Sequence, residues 1–251
     1  MRLWLLRHAT LRLEAAGLRL LVDPQLDPAG ARPPVADTAN PRPNPLVELP
    51  EPARVAVDGL DAVLVSHLHS DHFDGTAIDL LRRDVPLLCQ PADADALRGH
   101  GFTDVRPVDE TIELGALRVA RTDGRHGTGA IGEQMGPVCG FVLAGEGEPT
   151  LYVAGDTIWC EEVREALDAH APDVVVVNAG AAQFLEGDPI TMTAGDVVAV
   201  ARHATGARVV AVHLEAVNHC QLTRADLHQR LHDEGLVERV TVPEDGTEVP
   251  L

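Results

Sequence analysis

Ala62-Val63-Leu64-Val65 runs directly into Ser66-His67-Leu68-His69-Ser70-Asp71-His72, which sets three imidazoles and a carboxylate within six positions. A short apolar run reads as a buried strand. Where the chain leaves it, His67 and His69, two apart, point the same way and can grip one ion. Asp71 and His72 then face a second ion from the opening turn of a following helix, expected over Gly75–Arg83. Neutral imidazole and carboxylate suit borderline divalent metals, with zinc the default and manganese or iron compatible. A histidine-rich surface loop would not need a buried strand in front of it.

The spacing His67-x-His69-x-Asp71-His72 resembles the signature of the metallo-β-lactamase-fold hydrolases, in which it also follows a strand. Further landmarks fall in order. His126 in Asp123-Gly124-Arg125-His126-Gly127 fits the third histidine of the first ion, and Asp156, after Leu151-Tyr152-Val153, fits the bridging carboxylate. His213, after Arg208-Val209-Val210-Ala211-Val212, fits the last histidine. The likeness runs from Arg7-His8-Ala9-Thr10 through Leu21-Val22-Asp23-Pro24 to His213, and is nearest to the branch of ascorbate-6-phosphate lactonase. It implies an α/β fold, a four-layer αββα sandwich, over a single domain at 1–251. It also implies that His67, His69 and His126 hold one ion and Asp71, His72 and His213 a second. Asp156 would bridge them, and Asp71 and Asp156 would be the carboxylates that serve catalysis.

The rest of the chain agrees with one large α/β unit. Strands are expected at Leu3–Leu6, Leu11–Glu14, Leu18–Val22, Leu87–Gln90, Leu117–Thr122, Val138–Ala144, Leu151–Val153, Val174–Asn178 and Val209–Val212. Helices are expected at Asp93–Gly99, Glu161–His170, Ala194–Ala204 and Arg224–Glu234. Thr193 with Asp196, and Thr223 with Asp226, are variants of the capping box that starts a helix. A fully apolar strand such as Val174–Val177 implies a sheet covered on both faces. The segment Pro24–Pro52 holds nine prolines and no helical or strand periodicity. It reads as a semi-rigid wall over the metal site, because proline restricts the chain enough to hold a shape. The shape of the pocket depends on this loop and on Ala179–Pro189.

Gly127-Thr128-Gly129-Ala130-Ile131-Gly132 matches the G-x-G-x-x-G fingerprint of dinucleotide sites letter for letter. That fingerprint needs a strand before it and a helix opening from it. Here it follows His126 and runs into Gly136-Pro137, so no such helix is expected. Among other polar residues, His8, Asn178, Asn218 and His219 are candidate substrate contacts. His100, His170, His203, His228 and His232 lie in or at the ends of polar helical stretches and are expected to be solvated or structural.

Composition narrows function. There are 39 acidic residues against 20 basic ones, all arginine, for a net charge of −19. An acidic surface without a basic stripe repels phosphate backbones, so no long nucleic acid is expected. No apolar run reaches the ~18 residues of a membrane span, and Arg7 and His8 interrupt Met1–Leu6 too early for an export signal. Cys89, Cys139, Cys160 and Cys220 form no C-x-x-C pair, which suits reduced thiols and a cytoplasmic protein. A homo-oligomer stays open.

Two divalent ions sharing a bound water would give hydroxide near neutral pH. The leading expectation is therefore a metal-dependent hydrolase of a small-molecule lactone or carboxylic ester. A phosphodiesterase or ribonuclease of the same fold, a di-iron redox protein and a non-catalytic metal-binding protein are the alternatives.

Overall fold

Alternation along the strands sets the layering. In Val174–Asn178, Val174 and Val176 enter one apolar cluster while Val175 and Val177 enter another. In Ala62–Val65, Ala62 and Leu64 join the first of these clusters and Val63 and Val65 a third. Successive side chains of a strand leave opposite faces, so each strand is an apolar partition between two cores.

The computed structural model describes residues 1–251. The strands are β1 (Arg2–Arg7), β2 (Thr10–Ala15), β3 (Leu18–Val22), β4 (Ala62–Val65), β5 (Leu87–Cys89), β6 (Val105–Pro107), β7 (Thr111–Leu114), β8 (Leu117–Asp123), β9 (Cys139–Gly145), β10 (Leu151–Val153), β11 (Val174–Asn178), β12 (Arg208–Val212), β13 (Val240–Thr241) and β14 (Thr247–Val249). The helices are α1 (Ala53–Ala56), α2 (Gly75–Leu80), α3 (Ala94–Gly99), α4 (Gly129–Met135), α5 (Glu161–His170), α6 (Ala194–His203) and α7 (Arg224–Asp233).

One sheet has the order β14-β1-β2-β3-β4-β5-β6 and the other β13-β12-β11-β10-β9-β8-β7. Leu3, Leu5, Leu13, Phe141, Leu143 and Val176 meet in the core between the sheets. Val163 and Leu167 of α5, Val197 and Val200 of α6 and Leu227 of α7 pack outside the second sheet, and Ala77 of α2 and Leu97 of α3 outside the first. These are the four layers of an αββα sandwich.

Differences from expectation are local. The helix after the histidine motif ends at Leu80 because Leu81 turns to extended backbone (φ −66°, ψ 138°) and buries its side chain. At α6 the capping box closes as expected, with Thr193 and Asp196 bonding each other's backbone N–H. At α7 Thr223 accepts from the Asp226 amide, but the capping box does not close, because the Asp226 carboxylate takes the Thr223 hydroxyl and not its backbone N–H.

The glycine-rich motif does open a helix, contrary to expectation. Gly127 and Gly129 take left-handed φ values of 102° and 55°, a conformation glycine adopts freely, and the chain turns into α4 behind them. The flanking strands β8 and β9 are antiparallel neighbours, whereas the dinucleotide fingerprint belongs to a parallel strand-helix-strand unit. No residue of α4 is buried.

The proline-rich segment is tied to the body at several points. Arg32 and Asn44 exchange backbone bonds of 2.8 Å, Leu46 N–H donates to Ala216 O, and Leu185 N–H to Asp37 O. Buried Arg7 pins its two ends, donating to Gln25 O, Asp27 O and Val47 O.

Candidate metal centre

The candidate residues converge at one edge of the sandwich, where the parallel pair β3 and β4 of one sheet and the parallel pair β11 and β12 of the other both end. Asp23 follows β3, the histidine motif follows β4, Asn178 ends β11 and His213 follows β12. Ligand sites of parallel sheets characteristically lie at these carboxyl ends. The sheets are stitched together at this edge by Cys139 N–H to Ser66 O (3.3 Å) and His213 N–H to His8 O (2.9 Å).

Three overlapping groups of donors form, one of them His67, His72 and Asp156. His67, His69 and His126 present ligand atoms within 4.8 Å of one another, and so do His8, Asp71, His72 and His213. Asp156 lies between these two groups. Its Oδ2 is 3.2 Å from His72 Nε2 and 3.4 Å from His126 Nε2, and its Oδ1 is 3.2 Å from His213 Nε2. All seven ligand positions implied by the resemblance are therefore brought together, and His8 joins them.

The outer bonds fix which ring nitrogen faces inward. His126 Nδ1 donates to Ile190 O at 2.8 Å and His72 Nδ1 to Asp23 Oδ2 at 2.8 Å. Ser66 Oγ donates to Asp23 Oδ2, so His67 Nδ1, 3.0 Å from that hydroxyl oxygen, donates to it. Each outer partner leaves Nε2 unprotonated and inward, as metal-ligating histidines require. Asp23 thus orients two histidines and the Ser66 amide at once. Sequence reasoning missed that role; the available signal was its position at a strand end.

The group fits a cation by a direct observation. His72 Nε2 and His213 Nε2 are buried without a hydrogen-bond partner, yet each lies 3.2 Å from the Asp156 carboxylate. A lone pair facing a carboxylate at that distance needs positive charge between them. Burial opposes charge on Asp156, but His213 and His72 hold its carboxyl well below the ordinary range. Asp71 is likewise held low against burial by His8, His72 and His219. At His72 burial is outweighed by Asp156 and Asp23, which raise its pKa; the charge they favour there is the charge a bound cation brings. Burial lowers His67 and His8, and brings His126 down to about 4, which favours the neutral imidazole at each.

A cavity of about 210 Å³ opens on the cluster, lined by His69, Ser70, Asp71, His126, Asp156 and His219 and walled by Val35, Met135, Phe184 and Ile190. Both loops expected to shape the pocket contribute, Val35 from one and Phe184 from the other; Met135 of α4 is an unexpected third wall. His219 lines the cavity, stacks on Phe184 and keeps Nδ1 without a partner.

Two expected substrate contacts sit elsewhere. Asn178 is buried and donates to Asp156 Oδ1 at 2.6 Å, so it holds a carboxylate in place. Asn218 is fully buried, with its amide committed to Val35, Thr38, Asn40 and Asn44 of the proline-rich loop. Neither lines the cavity. His100, His203, His228 and His232 are exposed, as expected, and His170 is half-buried. No helix is long and apolar enough to cross a membrane, and all four cysteines are free thiols.

Comparison with known proteins agrees with this geometry. Residues 18–214 match the model of the β-lactamase superfamily domain. The UPF0173 protein YddR of Bacillus subtilis (strain 168) is 36% identical over 244 residues, covering 96% of each chain. A UPF0173 metal-dependent hydrolase of Azorhizobium caulinodans is 29% identical over 190 residues, 72% of this chain and 73% of its own. The crystal structure of isothiocyanate hydrolase from Delia radicum gut bacteria superposes with a TM-score of 0.95 at 33% identity, covering 100% of this chain and 99% of that one. The chain belongs to the β-lactamase superfamily and its UPF0173 group, and is a metal-dependent hydrolase of the metallo-β-lactamase fold.

Proposed function

We propose that this chain hydrolyses small, uncharged organic molecules at an electrophilic carbon, with isothiocyanates as the leading substrates and the lactones and carboxylic esters expected from sequence as the second class. The observation that carries this reading is the cavity lining: apolar walls, acidic and imidazole donors, and no arginine. Arg125, a conceivable phosphate anchor, is exposed and paired with Glu162 at 2.8 Å, and neither Arg42 nor Arg54 lines the cavity. That argues against a phosphodiesterase. The likeness to an isothiocyanate hydrolase along the full chain supports attack at carbon.

His67, His69 and His126 would hold one divalent ion, and Asp71, His72 and His213 a second, with Asp156 shared. The imidazole-rich donor set suits zinc, with manganese and iron compatible. When bound, such ions lower the pKa of coordinated water and polarise the bond under attack. The protein's own groups then orient and exclude. Asn178 and Asp23 lock Asp156, His67 and His72 in place. Val35, Phe184 and Ile190 keep bulk water from the reacting carbon, and His219, which lines the cavity, offers its imidazole edge to the substrate heteroatom. For an isothiocyanate, oxygen from water bonds to carbon while the C=N electron pair moves to nitrogen, which takes up a proton. Loss of the amine from the resulting thiocarbamate gives one amine and one carbonyl sulfide per water consumed.

The test is initial rates of zinc- and manganese-reconstituted protein on isothiocyanates, lactones, aryl esters and phosphodiesters, with Asp156→Ala as the control. Metal-dependent turnover at carbon that disappears in the variant supports the reading. Turnover confined to phosphodiesters, or unchanged rates in the variant, would overturn it.

A further inference from the structure

We propose that a second cavity beside the metal centre is the subsite for the group carried by the reacting carbon, and that it selects apolar groups and rejects those with an anionic end. The proposal rests on the reading of the site as a hydrolase of small electrophiles. The cavity at the cluster, at about 210 Å³, is smaller than the roughly 300–1,000 Å³ of ordinary ligand sites. A neighbouring cavity of about 450 Å³ is lined by Asp37, Ile131, Gln134, Phe184, Leu185 and Glu186. Phe184 lines both, so the two adjoin at that residue, and the proposed path away from the metal centre passes it.

Helix α4 runs along that path. Met135 lines the inner cavity and Ile131 the outer one, and residues four apart share a helix face. Ile131, Met135, Phe184 and Leu185 belong to none of the three apolar cores. The sandwich is therefore closed without them, yet Leu185 is left 68% exposed. Apolar side chains gathered in a concavity and not used for the fold mark a binding surface.

The loop that carries Leu185 is held rather than loose. Leu185 N–H donates to Asp37 O at 2.7 Å and Gln183 Nε2 to Gly187 O at 2.7 Å. A Cβ on Gly187 would come within 2.2 Å of Ile131 Cδ1, so loop and helix are in close contact. Asp37 and Glu186 bring carboxylates to the outer cavity, and no arginine faces them from its lining. A substrate tail ending in a carboxylate or phosphate would meet like charge there, whereas an alkyl or aryl tail gains contact with Ile131, Phe184 and Leu185.

The deciding experiment follows kcat/KM of the metal-loaded protein along methyl, propyl and pentyl isothiocyanates, or the matching esters. A rise of roughly two- to fourfold per added methylene is expected, with the ω-carboxylated pentyl substrate at least about tenfold poorer than the plain one. In the double variant Ile131→Ser, Leu185→Ser the rise should flatten. An identical slope in both proteins, or no slope in the wild type, overturns the proposal. A second arm needs no turnover: 1-pentanol is titrated into metal-loaded protein labelled at isoleucine and leucine methyls. Shifts at Ile131 and Leu185 support the subsite even if the reaction assigned above is wrong, and unmoved methyls overturn it even if that reaction is right.

Discussion

His8 Nε2 lies 3.2 Å from Asp71 Oδ2, a contact that joins the first strand of the protein to the carboxylate of the histidine motif. The ring is fully buried, packs on His213 with centroids 3.6 Å apart, and is set by a left-handed backbone at φ 62° directly after β1. His8 is therefore placed to orient Asp71 and His213 together. Partners that orient metal ligands are each worth about 10–100-fold in metal affinity or activity.

Replacing His8 should show that effect without unfolding the chain. Asn tolerates left-handed backbone better than alanine does, so His8→Asn is the cleaner variant. Its kcat/KM is expected to fall by about 10–100-fold, with metal lost more readily to a chelator than from wild type. Wild-type metal retention and rates in this variant would remove His8 from the site.

Gly180 sits against the back of His213. A Cβ there would lie 2.3 Å from His213 O, 2.5 Å from Cys220 Sγ and 3.0 Å from His213 Nδ1. Gly180→Ala must push the histidine or its loop aside, costing about 1–3 kcal/mol as overpacking and weakening metal binding. Gly206 has nothing within 4 Å and ordinary backbone, so Gly206→Ala is the matched control, expected within about 0.5 kcal/mol of wild type. Chemical denaturation together with metal content per chain separates the two, and equal behaviour would discard the steric argument.

The thiols should be inert in the folded protein. Burial, with a smaller contribution from Asp93, pushes Cys89 up to about 12, and burial raises Cys139, Cys160 and Cys220 as well. At pH 8 the thiolate fraction of Cys89 is on the order of one in ten thousand. Dithionitrobenzoate should react slowly with native protein and with all four cysteines after denaturation. The sign of the linkage follows. The folded thiol keeps its proton where the unfolded one, near pKa 9, has lost it, so stability is full below about pH 9 and declines as pH rises toward 12. An unfolding temperature that climbs between pH 8.5 and 10.5 would contradict this.

Most of the candidate donors stand out in the sequence because the histidine motif, Asp156 and His213 each follow an apolar strand, and a strand buried on both faces leaves little else for its run of valines and leucines to mean. Val174–Val177 is the clearest case, divided alternately between two cores. The helix α4 was hidden because its face is built for the cavity rather than the core, so no buried apolar period announces it. Strands β13 and β14 are two and three residues long, too short for alternation to register. Asn178 and Asn218 stand out in the sequence as polar residues after apolar runs, but the hydrogen bonds they make are not legible there. Their partners lie 22 and about 180 positions away, distances over which only the folded chain relates two amides.

Asn218 gives the sharpest test of what these buried amides do. Its Oδ1 accepts from Val35 N–H (2.9 Å) and Asn44 Nδ2 (2.7 Å), and its Nδ2 donates to Thr38 Oγ1 and Asn40 O at 2.7 Å each. Asn218→Ala would leave these loop groups unpaired, at a cost of at least about 2 kcal/mol. Asn218→Asp, which keeps the acceptor and loses the donors, should fall between. Because Val35 walls the cavity while no metal donor touches Asn218, the kinetic loss should appear mainly in KM, accompanied by faster proteolysis within the proline-rich loop. A variant that keeps the loop protected and loses kcat instead would return Asn218 to the role of substrate contact. That outcome would also mean that the hydrogen bonds seen here do not decide the shape of the pocket.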